Sequence, residues 1–170
     1  SKPESDDIGT CILIEGSTLI SQEPCQCTSG TSILVKNLFY NVPARRNFLK
    51  SNTVELRHVN EEFVRISMIN PNIGFSFYTN DKLAYKLLPG SLKSRIAALF
   101  GNAYNERLLP VEQDTDIVTI TGFIGKPEFA KKTRGEQYFF VNGRFIKHPY
   151  LNHAVNNAYT ELIPGDSYPS

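Results

Sequence analysis

The sequence predicts an α+β chain organised in two units. Three observations lead to that reading. Strand-like apolar runs with turn residues between them fill the first third; apolar residues then recur at helical spacing; and Asn70-Pro71 breaks the pattern before strands resume. The 170 residues are 41% hydrophobic, enough for a real core, and no apolar run approaches the roughly 18 to 20 residues that span a bilayer. The N-terminus lacks a basic region followed by an apolar block, so a cytoplasmic location with no membrane partner is expected.

Residues 1–9 are a polar lead-in, after which TCILIEGSTLISQEPCQC reads as two strands around Gly16-Ser17. SILVK, following Gly30-Thr31, predicts a third strand, too uniformly apolar at Ile33 to Val35 for an exposed edge. Asn52 and Glu55 resemble a capping box, and Leu56, Val59, Phe63 and Ile66 mark the inner face of a helix over 53–69. GFSFYTN and KLAYKL form a strand pair about Asp81, SLKSRIAALFG a helix closed by Gly101. The domain boundary is placed near Pro71.

Further on, Ile117 to Ile124 alternates faces. QYFFVNGRFI carries Asn142-Gly143 between apolar runs, the strongest short hairpin signal because a type I′ turn needs positive φ at both central positions. Pro149 opens a helix with Leu151, Ala154, Val155, Ala158, Tyr159 and Leu162 as its stripe, ended by Pro164-Gly165. The charged connection Gly125 to Gly135, GKPEFAKKTRG, reads as a mobile excursion.

Net charge is only +1, which excludes binding to nucleic acid through bulk charge. The distribution is uneven. Residues 1–35 hold five acids against one base, whereas residues 126–148 hold six bases against two acids. Arg144 follows the tight Asn-Gly turn, and Lys147, Lys131, Lys132 and Arg134 can flank it as a phosphate-binding surface; the alternative is a solvated turn. No recognition helix or zinc-finger spacing is present, so DNA binding would be salt-sensitive and sequence-independent. Arg45 and Arg46 diverge by about 100° on a helix, one available for an internal ion pair and the other for solvent or phosphate. Cys11, Cys25 and Cys27 lack metal or redox C-x-x-C spacing and read as reduced thiols, with Cys25 and Cys27 on one face of an extended segment. His58, His148, His153 and the Glu61-Glu62 pair read as surface or packing residues.

GTSILVKNLFYNVPARRNFLK resembles the MutL-family segment in which Gly-Thr begins a strand leading to Leu-Phe-Tyr-Asn-x-Pro-Ala-Arg-Arg-x-Phe-Leu-Lys. QYFFVNGRFI followed by NHAVNNAY is similar to the family's second signature, in the family's order. The resemblance implies the end of a GHKL-type ATPase α/β sandwich over 1–70 and, over 71–170, a transducer domain like domain 2 of ribosomal protein S five, truncated at its C-terminus. It implies that Gly30 and Thr31 belong to the adenine pocket of the parent protein; from the residues alone they are a turn glycine and a strand threonine. ATP and Mg are the implied cofactors of the parent, which would dimerise and work with DNA and with mismatch-recognition and strand-processing proteins. Phe39 would anchor the turn before the arginine pair, Pro43 would start a helix and Asn41 would cap it. The metal-binding Asn, catalytic Glu, Asp-x-Gly-x-Gly element and glycine lid are expected ahead of Ser1 and the γ-phosphate lysine beyond Ser170, so the chain alone is expected not to hydrolyse ATP. The competing expectation is a stand-alone nucleic-acid-binding module of ribosomal type, which would not need the Gly30 to Lys50 motif.

Overall fold

A computed structural model describes residues 1–169. The chain divides into two compact units, Ser1–Glu55 and Leu56–Ser170. The division falls inside a helix, ahead of Pro71, because that helix packs its later turns onto the strands that follow it.

In the first unit β1 (Gly9–Glu15) and β2 (Thr18–Cys25) pair antiparallel, from Gly9 opposite Cys25 to Glu15 opposite Thr18, with a register shift at Leu13/Ile14. Gly16 and Ser17 turn the chain with φ of 55° and 70°, as a primed hairpin turn requires. The strand expected at SILVK does not form. Residues 32–36 pair with no other strand among the described residues, and Ile33, Leu34 and Val35 stand 83%, 76% and 70% exposed. Apolar character alone cannot make a strand where no neighbouring ladder receives its backbone groups. Helix α1 (Pro43–Arg46) starts at Pro43 as anticipated, but Val42, not Asn41, occupies the cap position, without a side-chain cap bond. Phe39 is only half-buried, with φ of 64°.

Helix α2 (Asn52–Ile69) begins at Asn52 itself, so the expected capping box shifts: Ser51 O accepts from Val54 and Glu55 N–H, and the Glu55 carboxylate accepts from Lys50 N–H at 2.8 Å. Its inner face is also rotated. Val64, Ser67 and Met68 are buried, while Leu56, Val59 and Ile66 are exposed. Phe63 alone of the expected stripe is engaged, stacked on Phe77 at 4.8 Å and lying 5.4 Å from Tyr85 and 6.1 Å, edge-on, from Phe75.

Those aromatics belong to the antiparallel pair β3 (Phe75–Thr79) and β4 (Lys82–Leu87), joined by Asn80-Asp81 with φ of 48° and 62°. Helix α3 (Leu92–Phe100) is capped by Ser91, whose hydroxyl accepts from Ser94 N–H, and closes at Gly101 with φ of 107°. The short α4 (Tyr104–Arg107) leads into β5 (Leu108–Asp114), paired antiparallel with β6 (Thr119–Gly125). Pro110 lies within β5, and that proline obscures the strand in the sequence. Then β7 (Phe139–Val141) and β8 (Arg144–Ile146) form the expected hairpin, with φ of 49° at Asn142 and 75° at Gly143.

Helix α5 (Pro149–Ala158) ends before the predicted stop. Tyr159, on the expected stripe, is buried just past the helix end, 6% exposed, and donates its hydroxyl to Gly125 O at 2.6 Å. Ala154, Ala158 and Leu162 of that stripe lie on the exposed side. The core belongs to the second unit: Val64, Met68, Leu87, Ala97, Tyr104, Leu108 and Tyr159.

Candidate nucleic-acid interface

The β7–β8 turn is two residues long, which gives Arg144 a stiff base. Arg144 and Lys147 are both exposed and have no acidic partner at ion-pair distance among the described residues. Lys147 lines a cleft of about 620 Å³ with Arg134, Arg65, Glu61, Tyr138 and Phe145 among its walls. Arg65 is held there by Glu61 and Glu62 on its own helix and lies 4.3 Å from the centre of the Phe145 ring.

The connection expected to be mobile is strapped down. Lys131 and Tyr168 exchange two backbone hydrogen bonds, of 3.0 and 2.7 Å, and the Arg134 guanidinium sits 4.5 Å over the Tyr168 ring. Lys132 reaches Asp166 at 3.2 Å. The Lys131 ammonium binds the Glu136 carboxylate and donates to Tyr104 Oη at 2.9 Å, while Tyr104 donates to Glu136 at 2.7 Å. The hydrogen bond to Glu136, then that to Tyr104, raises the Lys131 pKa; burial raises that of Tyr104. Two of the five C-terminal cations singled out in the sequence are therefore engaged by carboxylates of the protein itself. The partners Asp166 and Tyr168 carry no local signal, since they meet the loop only through the fold.

Arg45 and Arg46 are exposed on α1, in the other unit; Arg45 lies 6.0 Å over the Phe39 ring, and neither makes an ion pair among the described residues. Gly30, with φ of 118°, exchanges backbone hydrogen bonds with Lys2 at 2.9 and 2.8 Å, and open space surrounds the place of its missing side chain. Thr31 beside it is exposed. One hydroxyl and a glycine without a side chain can contribute to an adenine pocket, but they cannot enclose a nucleotide unaided. No group of three His, Cys, Asp or Glu side chains among the described residues is arranged to hold a metal ion. His148 caps α5, its Nδ1 accepting from Tyr150 N–H, while His153 meets Asn157 on the exposed side.

The family profile described as DNA mismatch repair protein, C-terminal domain, matches residues 96–170. The chain is 54% identical over all 170 residues to the DNA mismatch repair protein MutL of Christiangramia forsetii and 55% identical to that of Flavobacterium johnsoniae. The chain belongs to the MutL family of DNA mismatch repair proteins. This MutL-family chain spans 28% and 26% of the length of those two relatives. Among solved structures it is similar to the Aquifex aeolicus MutL ATPase domain complexed with ADP, with a TM-score of 0.72 and 25% identity, covering 89% of this chain and 58% of that one. The N-terminal domain of a DNA repair protein shares the fold with a TM-score of 0.83 at 19% identity, over 99% of this chain and 56% of that one.

Proposed function

We propose that this MutL-family segment couples ATP binding and N-terminal dimerisation of a mismatch repair protein to sequence-independent DNA binding and to recruitment of mismatch-recognition and strand-processing proteins. Coupling of this kind requires two states whose populations the nucleotide shifts. In the parent protein Gly30 and Thr31 contribute the open space of a missing side chain and the hydroxyl at the adenine pocket, the hydroxyl able both to donate and to accept. Bound ATP with Mg would supply the energy difference between the two states. The likeness to an ADP-complexed MutL ATPase domain supports this part of the reading.

The DNA part rests on one observation: Arg144 and Lys147 stand exposed and unpaired among the described residues on a two-residue hairpin, next to a cleft that Arg134 also lines. Fixed cations without internal partners are what a phosphate backbone engages. Lys131 and Lys132 play a supporting part because carboxylates already hold them, and Arg45 and Arg46 form a separate candidate contact on α1. The family assignment favours this reading over a stand-alone ribosomal-type module.

Fluorescence anisotropy with a labelled duplex over a salt series tests it. Binding should weaken steeply with salt, and Arg144→Glu should weaken it roughly tenfold at low salt, about 1.4 kcal/mol. Equal binding by the two proteins would remove the hairpin from the DNA contact.

A further inference from the structure

Three cysteines fall in the first unit, and the proposed function uses none of them. Cys11 is exposed, and Cys25 and Cys27 are half-buried; all three are free thiols. In the β1–β2 ladder Gly9 is the residue directly opposite Cys25. Cross-strand partners point their side chains to the same face, with Cβ positions about 4.5–5.5 Å apart. At Gly9 that position is empty of its own side chain, and Cys27 Sγ fills it. The chain leaves the ladder at Cys25 and folds the Cys27 sulfur back over the glycine. The sulfur of Cys27 thus occupies the slot from which a cross-strand neighbour would touch Cys25.

We propose that Cys25 and Cys27 form a redox-modifiable dithiol that closes to an intramolecular disulfide under hydroperoxide. One thiolate attacks the peroxide oxygen, releasing water or an alcohol and becoming a sulfenic acid; the second sulfur displaces that hydroxyl as water, forming the S–S bond. Two thiols lose two electrons and two protons, and the peroxide is reduced by two electrons. Two residues of extended chain span about 6.6 Å, at the upper end of the roughly 4.4–6.8 Å Cα separation that disulfides accept. A bridge near that limit is the reducible kind. Cys11 is the competing partner and fails on distance. It lies opposite Glu23 and only diagonal to Cys25, and diagonal neighbours sit about 7–8 Å apart.

The test is mass spectrometry of the purified protein after limited hydrogen peroxide, alkylation of free thiols and digestion with a Glu-specific protease, which separates Cys11 from the Cys25–Cys27 peptide by cutting after Glu15. The expected product is a Cys25–Cys27 peptide lighter by two hydrogens, unalkylated, and restored by dithiothreitol, with Cys11 alkylated. Cys11→Ser should leave this product unchanged, Cys27→Ser should abolish it, and Gly9→Ala, which evicts the Cys27 sulfur, should slow its formation severalfold. A Cys11-linked bridge, bridges only between molecules, or sulfinic and sulfonic products without the internal bridge would overturn the proposal. So would an undiminished rate in Gly9→Ala.

Discussion

At position 95 a guanidinium lies 2% exposed with no carboxylate at ion-pair distance among the described residues. Its Nη2 donates to three carbonyls, those of Ile73 at 2.6 Å, Pro71 at 3.0 Å and Leu88 at 3.2 Å, and the Phe75 ring lies 5.2 Å away. Burial pushes its pKa down, yet an arginine stays charged. One side chain thereby ties the turn after α2 to the end of β4, with Nη1 left buried and without a hydrogen-bond partner among the described residues. Arg95→Met keeps much of the volume and removes the donors. It should lower stability by about 2–3 kcal/mol, read as a fall in the urea midpoint without a change in slope. Arg95 was not legible as a structural centre, because in SLKSRIAALF it looks like an ordinary helix-surface arginine.

Among elements, those whose geometry depends on a few adjacent residues were readable, and those that depend on distant partners were not. Asn142-Gly143 and Gly16-Ser17 dictate their turns by backbone preference, and the hairpins follow. The inner face of α2 could not be read from apolar spacing, because the aromatic rings of β3 and β4 select Phe63 while burial falls on Val64, Ser67 and Met68. The loop over 126–135 looked free for the same reason: its anchors, Tyr168 and Asp166, lie far along the chain. This strap has an alkaline limit. Folding raises the pKa of both Lys131 and Tyr104, so it favours their protonated forms. That contribution is complete below the unfolded values, about 10 to 10.5, and is lost as pH rises through the higher folded values. The thermal midpoint should therefore fall as pH rises above about 10, and Lys131→Met should flatten part of that fall.

For the molecule as a whole, the α+β class was legible from strand-like runs and helical spacing and the MutL family from two motifs, and the comparisons support both. The candidate DNA surface was legible as a list of cations but not as an arrangement, since sequence cannot say which cations already have partners. That distinction has a thermodynamic consequence. A lysine held by a protein carboxylate before DNA arrives contributes little to displacing the small ions condensed on phosphates. Lys131 and Lys132 are in that position, whereas Arg134, Arg144 and Lys147 have no carboxylate partner among the described residues. If DNA binding relies on this C-terminal set, the logarithm of the affinity should fall against the logarithm of salt with a slope near −2.7, as about three neutralised phosphates imply, rather than the roughly −4.5 of five. Asp166→Asn, which frees Lys132, should steepen the slope by roughly 0.9: the strap sets how many counterions the protein can release.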